Sequence, residues 1–344
     1  MKVAVSARVL DRNVGGNSRY SREVHRGGDG FESVLLRPRR GSSSAVYAAH
    51  ESVLWPLSVR ADVLHFPADT GAVIRGRTPI VTTVHGLGYR HAIGIRNPRA
   101  QWLWRERVRS AIRVSDMVIT VSQSSAVDIM EEFGVPSERI AVIPHGVSPK
   151  FSPGEVSDAE TAELRRLGFP ERFMLYVGNL EPRKNVVELV KAAQATFAET
   201  GVPLVVAGAL AWDFDDIVAA IDASDAVHYV GRLPEESLVP AYRSAELFCF
   251  PSKYEGFGMP VLEAMATGTA VACTLSGSLR EVSEGKAFTI PGLSSAEIAP
   301  VLVEALTDTS ARAQMARVGL DWARGFTWDE SLRRHKEVFE RVAR

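Results

Sequence analysis

A chain of 344 residues outgrows the usual single hydrophobic core, which predicts two domains. With 46% apolar and 24% charged residues, its make-up excludes disordered and collagen-like classes. Its net charge of −1 hides an asymmetry: residues 1–150 carry 21 Lys and Arg against 13 Asp and Glu, the remainder 19 against 28, so the first half suits an anionic partner.

In chain order, Val3–Ser6 predicts a first strand. The loop Val14-Gly15-Gly16-Asn17-Ser18 follows, then a helix over Arg19–His25. A glycine pair between strand and helix is where an α/β fold holds phosphate, and it is equally an ordinary tight turn. Short β-branched runs at Ser33–Leu36, Val63–Phe66, Ile80–Val84, Met117–Val121 and Arg139–Ile143 predict more strands. Helices are expected between them at Ser44–Ser58, Pro98–Val114 and Ser124–Phe133. The alternation predicts a doubly wound parallel layer, and no repeat suggests a solenoid. His85 ends the strand over residues 79–84, at the edge where such sheets bind ligands. A lone histidine is usually structural, as the other seven are expected to be; His145, in Pro144-His145-Gly146-Val147, is expected in a turn near the cleft.

The helix Pro98–Val114 places Arg105, Arg109 and Arg113 on one face and adds Arg99, Arg107, Trp102 and Trp104. This suits an anionic membrane surface, or a solvated face with its tryptophans in the core. Arg37, Arg39 and Arg40 form a second basic run, expected in a loop. The Pro, Gly and acidic residues of Ser148–Pro170 predict a linker, with domains at 1–165 and 166–327.

A second strand–helix series opens at Phe173–Val177, followed by Gly178-Asn179-Leu180-Glu181-Pro182-Arg183-Lys184-Asn185. Cations at a helix start oppose its dipole, so Arg183 and Lys184 make more sense beside a bound diphosphate. Leu204–Ala207 and Val227–Val230 are expected strands, the second leading into Gly231-Arg232-Leu233-Pro234. Asp213-Phe214-Asp215 is better explained by the acidic first turn of a helix over Asp215–Ala223 than by a metal site. A helix over Glu235–Ser244 leads to a strand over Leu247–Phe250, and Ala270–Ala272 is another strand. Helices are expected over Glu297–Leu306, Ala311–Arg324 and Trp328–Val342. Cys249 and Cys273 lie in strand-like runs and are expected buried, without a disulfide. With no run of 18 apolar residues and no secretory leader pattern, a cytoplasmic location is expected.

After the strand Leu247–Phe250 comes Tyr254-Glu255-Gly256-Phe257-Gly258-Met259-Pro260-Val261-Leu262-Glu263-Ala264-Met265-Ala266-Thr267-Gly268. It reads as strand, glycine loop and helix, with Pro260 suited to the first turn. Glycines allow close backbone approach, and a helix N-terminus favours an anion. Glu255 and Glu263, with seven residues between them, would repel a phosphate and suit hydroxyls better. A ligand with both groups is a sugar nucleotide.

This stretch resembles the E-x7-E motif of family 4 retaining glycosyltransferases. The resemblance extends to the Gly-x5-Arg-Lys-Asn loop at Gly178–Asn185 and to Gly15-Gly16, where Ser18 replaces the last glycine of Gly-Gly-x-Gly-x-Tyr. That change either holds the backbone back from a ligand or supplies a hydroxyl. The resemblance implies a GT-B fold: α/β, two Rossmann-like doubly wound domains facing a central cleft. It implies an acceptor-binding amino-terminal domain and a donor-binding carboxyl-terminal one. The last helix, 328–344, returns to the first domain after Phe326-Thr327-Trp328. It further implies transfer of a hexose from a nucleoside diphosphate sugar, with retention, by a front-face route and with no metal or other cofactor. Arg183, Lys184 and the amides near Gly258–Pro260 would meet the diphosphate. Glu263 would hold the ribose, Glu255 the sugar hydroxyls, Arg232 and Leu233 the base through their backbone, and His85 the sugar. Gly15, Gly16, Gly178, Gly256, Phe257, Gly258, Met259 and Pro260 would complete the donor site. Met259-Pro260 resembles the mannosyl- and rhamnosyltransferase-like branch, which implies GDP-mannose, with UDP- and dTDP-sugars open. The expected acceptor is a glycan, a lipid-linked or a small-molecule hydroxyl, with peripheral attachment to the inner face of the cell membrane as one location. A nucleotide-sugar epimerase and a non-catalytic sugar-nucleotide-binding module are the rival classes. A dinucleotide oxidoreductase is weaker, since no Gly-x-Gly-x-x-Gly follows the first strand. No nucleic-acid module is recognisable, so no such partner is expected.

Overall fold

The structure, a computed structural model, describes residues 1–12, 15–26, 30–38, 43–91 and 98–344. Val14, Arg39 and Arg40 lie outside the described residues. Among the described residues two compact units emerge, one within 1–89, 98–146 and 326–344, the other within 90–91 and 147–325. Each unit has its own six-stranded sheet.

The first unit's strands are β1 (Lys2–Ser6), β2 (Glu32–Leu36), β3 (Val63–Phe66), β4 (Ile80–Val84), β5 (Met117–Thr120) and β6 (Ile140–Val142). They pair in parallel in the order β2-β1-β3-β4-β5-β6. Helices cover both faces, so β3 and β4 are buried throughout and can be continuously apolar or β-branched. One core joins Val3, Val5, Tyr20, Val63, Val81 and Ile119 to Trp328, Leu332 and Phe339 of the helix Trp328–Ala343. Burial of each such side chain contributes roughly 1.5–3 kcal/mol. Thr327 opens that helix by accepting a hydrogen bond from the Glu330 amide at 3.2 Å. The chain passes so close to Gly146 that a Cβ there would lie 2.2 Å from the Trp328 nitrogen.

Two expectations in this unit change. Gly15 and Gly16 belong to the helix Gly15–Val24 and not to a loop before it. Gly15 supplies a left-handed turn, φ +77°, where the helix begins. The run from Ser44 to Ser58 is helical but not uniform: a π-turn, His50–Leu54, joins Ser44–Ala49 to Trp55–Ser58.

The second unit's strands are β7 (Met174–Val177), β8 (Leu204–Ala207), β9 (Val227–Gly231), β10 (Leu247–Phe250), β11 (Val271–Thr274) and β12 (Phe288–Ile290). Their order, also all parallel, is β12-β11-β10-β7-β8-β9. The short β12 was not expected; three residues carry no readable alternation. The expected linker over residues 148–170 and the boundary at 165/166 are corrected as well, because the units part between Gly146 and Val147. The acidic and basic residues expected in a linker instead build the helix Asp158–Arg166. Ser157 and Glu160 cap it reciprocally, and Leu164, Phe151 and Phe169 bury themselves in the second unit.

In a doubly wound sheet, ligands gather beyond the carboxyl ends of the strands where the winding reverses. Here those points fall between β1 and β3 in the first unit and between β7 and β10 in the second.

Candidate functional site

Next to the β7/β10 switch point, the backbone beyond β7 and β8 is closely packed. A Cβ on Gly208 would lie 1.8 Å from the Gly178 carbonyl oxygen. The loops beyond β7 and β8 are also joined, Leu180 N to Ala209 O at 2.9 Å and Ala211 N to Leu180 O at 3.2 Å. Beyond Gly178 the chain makes a tight turn over Pro182–Lys184, and Asn185 takes φ +60° before the helix Val186–Thr200. That turn delivers Arg183 and Lys184 to the end of β10, where Lys253 N donates to Arg183 O at 2.9 Å.

Glu255 meets both cations on one oxygen. Lys184 Nζ lies 2.7 Å and Arg183 Nη1 3.0 Å from its Oε1. Arg183 Nη1 also donates to the Tyr254 carbonyl at 2.7 Å, and its Nη2 pairs with Glu181. The second Glu181 oxygen accepts from the Trp212 indole at 2.8 Å. Lys184 further rests over the Phe250 ring, 4.7 Å from its centroid. Burial alone would raise the Glu255 carboxyl, but Lys184 and Arg183 outweigh it and hold it at about 2. Burial lowers Lys184 against the pull of Glu255. Burial also opposes the charged form of Arg183, yet Glu255 and Glu181 leave it raised. Two cations and two carboxylates thus alternate in a charge-balanced row.

Glu255 and Glu263 do not converge as a pair of open hydroxyl acceptors in this structure. Glu255 is turned onto the cations, and Glu263, buried within the helix Met259–Ala266, accepts from Tyr242 Oη at 3.2 Å. The loop between them is held by Ser278, whose amide and hydroxyl donate to Glu255 O at 3.1 and 3.0 Å. Gly258 takes φ +99° as the helix begins, which demands glycine, and Pro260 sits in the first turn. Phe257 and Gly258 are buried; Gly256, Met259 and Pro260 are partly accessible. Arg232 is exposed and Leu233 half-buried just beyond Gly231, φ +68°.

The first unit gathers a separate group at its β1/β3 switch point. His85 Nε2 lies 3.0 Å from Pro67 O, and the His85 amide donates to Asp69 Oδ1 at 2.7 Å. A carbonyl only accepts, so Nε2 carries the proton and Nδ1, buried without a partner, is a bare acceptor. Burial lowers His85 below the ordinary imidazole range despite Asp69, so the ring is neutral at pH 7. Its edge meets Tyr20 at 4.7 Å, and the His145 ring lies 5.5 Å away. Nearby in the fold, Arg8 pairs with buried Glu51 of the π-turn at 2.9 Å and donates to Thr70 at 2.8 Å, while the Ser6 hydroxyl donates to Glu51. Gly15 is exposed, Gly16 half-buried. Ser18 donates to Val9 O at 2.7 Å, so its hydroxyl braces the preceding helix.

Other side chains fall as follows. Trp102 and Leu103 are exposed, while Trp104 stacks on Tyr89, edge to face at 5.3 Å. Arg105 pairs with Glu132 and Arg109 with Glu106, leaving less of the expected basic stripe for a surface. Cys249 and Cys273 are buried free thiols. Among the described residues, no cluster of His, Cys, Asp and Glu has the arrangement to hold a metal ion, and no helix is long and apolar enough to cross a membrane. Glu181, Trp212, Tyr242 and Tyr254 were not expected at the site; a carboxylate beside two cations is their one local clue, at Glu181.

Comparison with known proteins follows this division. Residues 6–151 match the family model described as Glycosyltransferase Family 4, and residues 161–322 match Glycosyl transferases group 1. O-antigen chain mannosyltransferase B of Escherichia coli is 30% identical over 218 residues, 62% of this chain and 57% of that protein. D-inositol 3-phosphate glycosyltransferase of Salinispora arenicola is 29% identical over 291 residues, 77% of this chain and 64% of that protein. The match therefore spans less than two thirds of the length of either of these relatives. Among solved structures, sucrose-phosphate synthase from Thermosynechococcus elongatus superposes with a TM-score of 0.75 at 18% identity, covering 99% of both chains. Anabaena HepE, in complex with UDP and glucose, gives 0.74 at 18% identity and the same coverage. At such identity these two speak for the fold alone. With one family model on each unit and little of the chain outside them, the protein belongs to glycosyltransferase family 4 and has the GT-B fold.

Proposed function

We propose that the protein is a retaining glycosyltransferase that moves a hexose, best taken as mannose from GDP-mannose, to an acceptor hydroxyl in glycolipid, polysaccharide or glycoconjugate synthesis. The observation that carries this reading is the Lys184–Glu255–Arg183 cluster at the β7/β10 switch point. Two cations held there, beside the start of the helix Met259–Ala266, suit a diphosphate. Glu255 keeps both cations charged and aimed until the ligand arrives, and then offers its carboxylate to sugar hydroxyls. Glu263 is assigned the ribose, and the backbone at Arg232 and Leu233 the base. His85 Nδ1, an acceptor without a donor, suits a sugar hydroxyl.

In the reaction, the bond from the sugar's anomeric carbon to the phosphate oxygen breaks. The acceptor oxygen bonds to that carbon on the same face, and its proton passes to the leaving phosphate oxygen. Charge grows on the diphosphate as this happens, and preorganised cations are the strongest available aid. Arg183 and Lys184 supply the charge that a divalent metal would otherwise bring, so we assign the reaction no metal. UDP- and dTDP-sugars are the alternative donors. The mannosyltransferase among the relatives and the Met259-Pro260 text support mannose.

A thermal-shift series with GDP, UDP and dTDP tests the donor, because a ligand near 100 to 1,000 times its Kd stabilises by roughly 3–4 kcal/mol. Glu255→Gln is expected to lower turnover about 100-fold while changing Kd for the preferred diphosphate less than about 5-fold. Unchanged turnover would remove Glu255 from the mechanism. We also propose an anionic or membrane-anchored acceptor, on the strength of exposed Trp102 and Leu103, with exposed Arg113 further along the same helix, in a basic unit. Co-sedimentation with phosphatidylglycerol vesicles, reduced by Trp102→Ala, checks it; a protein that stays in the supernatant at low salt rules it out.

A further inference from the structure

The row of charges at the switch point has a member with no part in the chemistry above. Glu181 begins the turn that carries Arg183 and Lys184, and Lys184 N donates to its carbonyl at 3.0 Å. Its carboxylate is buried and bound at both ends, to Arg183 Nη2 on one oxygen and to the Trp212 indole on the other. Trp212 is half-buried in the loop beyond β8, and the next residue, Asp213, has φ +46°. A non-glycine residue in that region costs of order 1 kcal/mol and persists where the surroundings hold it. The loop is pinned to Leu180 by the paired backbone bonds already described.

Two consequences follow from the charges. Glu181 fixes one fork of a guanidinium whose other fork reaches Tyr254 O and Glu255, so Arg183 is clamped from two sides. Glu181 also repels an incoming diphosphate and competes with it for Arg183. We propose that Glu181, braced by Trp212, is a positioning residue that fixes Arg183 for transfer at the expense of nucleotide affinity; this rests on the donor-site assignment made above. A residue serving only the fold would lower affinity and turnover together, or neither. This one moves them in opposite directions.

The test takes whichever of GDP, UDP and dTDP most raises the melting temperature of the wild type, and the matching sugar nucleotide (GDP-mannose, UDP-glucose or dTDP-rhamnose) with water as acceptor. Glu181→Gln keeps the shape of the side chain and one oxygen for Trp212. It is expected to bind the diphosphate about 3- to 10-fold tighter by calorimetry and to hydrolyse the sugar nucleotide with kcat about 10-fold lower. Trp212→Phe keeps the carboxylate and is expected to lower kcat about 3-fold. In an Arg183→Ala background, Glu181→Gln should cost less than about 2-fold more, since its effect runs through the guanidinium. Weaker binding in Glu181→Gln, or the same 10-fold loss with and without Arg183, overturns the proposal. A wild type that binds none of the three diphosphates overturns the donor site itself, and this inference with it.

Discussion

The two sheets are wound alike, yet the side chains of one buried polar row in each unit are made of opposite material. In the second unit they are ions, Glu181, Arg183, Glu255 and Lys184, close to the strand ends. In the first they are neutral, and the pair of Arg8 with buried Glu51 stands outside them. Ser33 lies 2.9 Å from His25 Nδ1, and His25 Nε2 lies 2.8 Å from His65 Nδ1. His65 Nε2 lies 2.9 Å from Thr83 Oγ1, which lies 2.8 Å from Tyr20 Oη. Tyr20 reaches His335 Nε2 at 2.7 Å, and His335 Nδ1 reaches Ser331 O at 2.7 Å. The last partner is a carbonyl, which fixes every proton in the row. His335 Nδ1 donates to it, so Nε2 accepts from Tyr20; Tyr20 then accepts from Thr83, Thr83 from His65, His65 from His25 and His25 from Ser33. Three imidazoles stay uncharged with each of these nitrogens used once. Such a row satisfies buried groups without the desolvation cost of ions, and it joins the helix Trp328–Ala343 to the sheet it covers. The difference teaches that the row tying the helix Trp328–Ala343 to its sheet is neutral, while the charged row lies where a charged ligand is proposed.

The ionic side of the contrast is the easier to break. Lys184→Met leaves the Glu255 carboxylate buried with Arg183 alone of the two cations that meet it. Removing one partner of a buried pair costs about 3–5 kcal/mol, and the surviving arginine places this variant near 3. Urea unfolding reads the loss. Lys184→Met with Glu255→Leu should recover most of it, since apolar replacement of both ions removes the orphaned charge. A loss under about 1 kcal/mol for the single variant would mean the second unit's ions are as well solvated as a surface pair.

The same contrast explains what was readable beforehand. Buried strands announce themselves by β-branched runs, so β1, β3, β4, β7, β8 and β10 lie within a residue of their expected positions. The Glu255–Glu263 stretch and the Arg183-Lys184 pair were legible because glycines, a proline and misplaced cations each break a local rule. Partnership was not legible. Glu255 and Lys184 are 71 residues apart, Glu181 and Trp212 are 31, and Tyr20 and His335 are 315. No spacing rule reaches across such distances. Composition also misled: a Pro-, Gly- and acid-bearing stretch around Asp158–Arg166 looks like a linker until its caps and its buried Leu164 are seen together.

Acid should separate the two units. Burial lowers His25 to about 3 and His335 to about 4, and it leaves His65 well below 6.5, with neighbouring imidazoles adding to the shift. His145, against Tyr20 and Trp328, is lowered too, and His85 likewise despite Asp69. The charged groups around the row are Arg26 paired with Asp329 and Glu23, Arg334 on Val142 O, and Lys336 near Glu340. A base whose folded value lies below its unfolded one binds fewer protons when folded, so stability rises with pH. Its contribution is complete above about 6.5 and disappears as pH falls toward the folded value. For His335 alone, a drop from 6.5 to about 4 is worth about 3 kcal/mol by the time pH nears 4. Glu255 is the opposite kind of group, lowered from 4.5 to about 2, so its contribution survives to about pH 4.5 and goes below that. Between pH 6.5 and 4.5, then, the first unit weakens while the second keeps its ions. Hydrogen exchange followed by mass spectrometry at pH 7.5, 5.5 and 4.5, corrected for intrinsic rates, should show β3, β4 and residues 328–343 losing protection before β7 and β10. Equal loss in both, or earlier loss in β7 and β10, would mean that protonating the histidine row does not cost the first unit what its geometry demands.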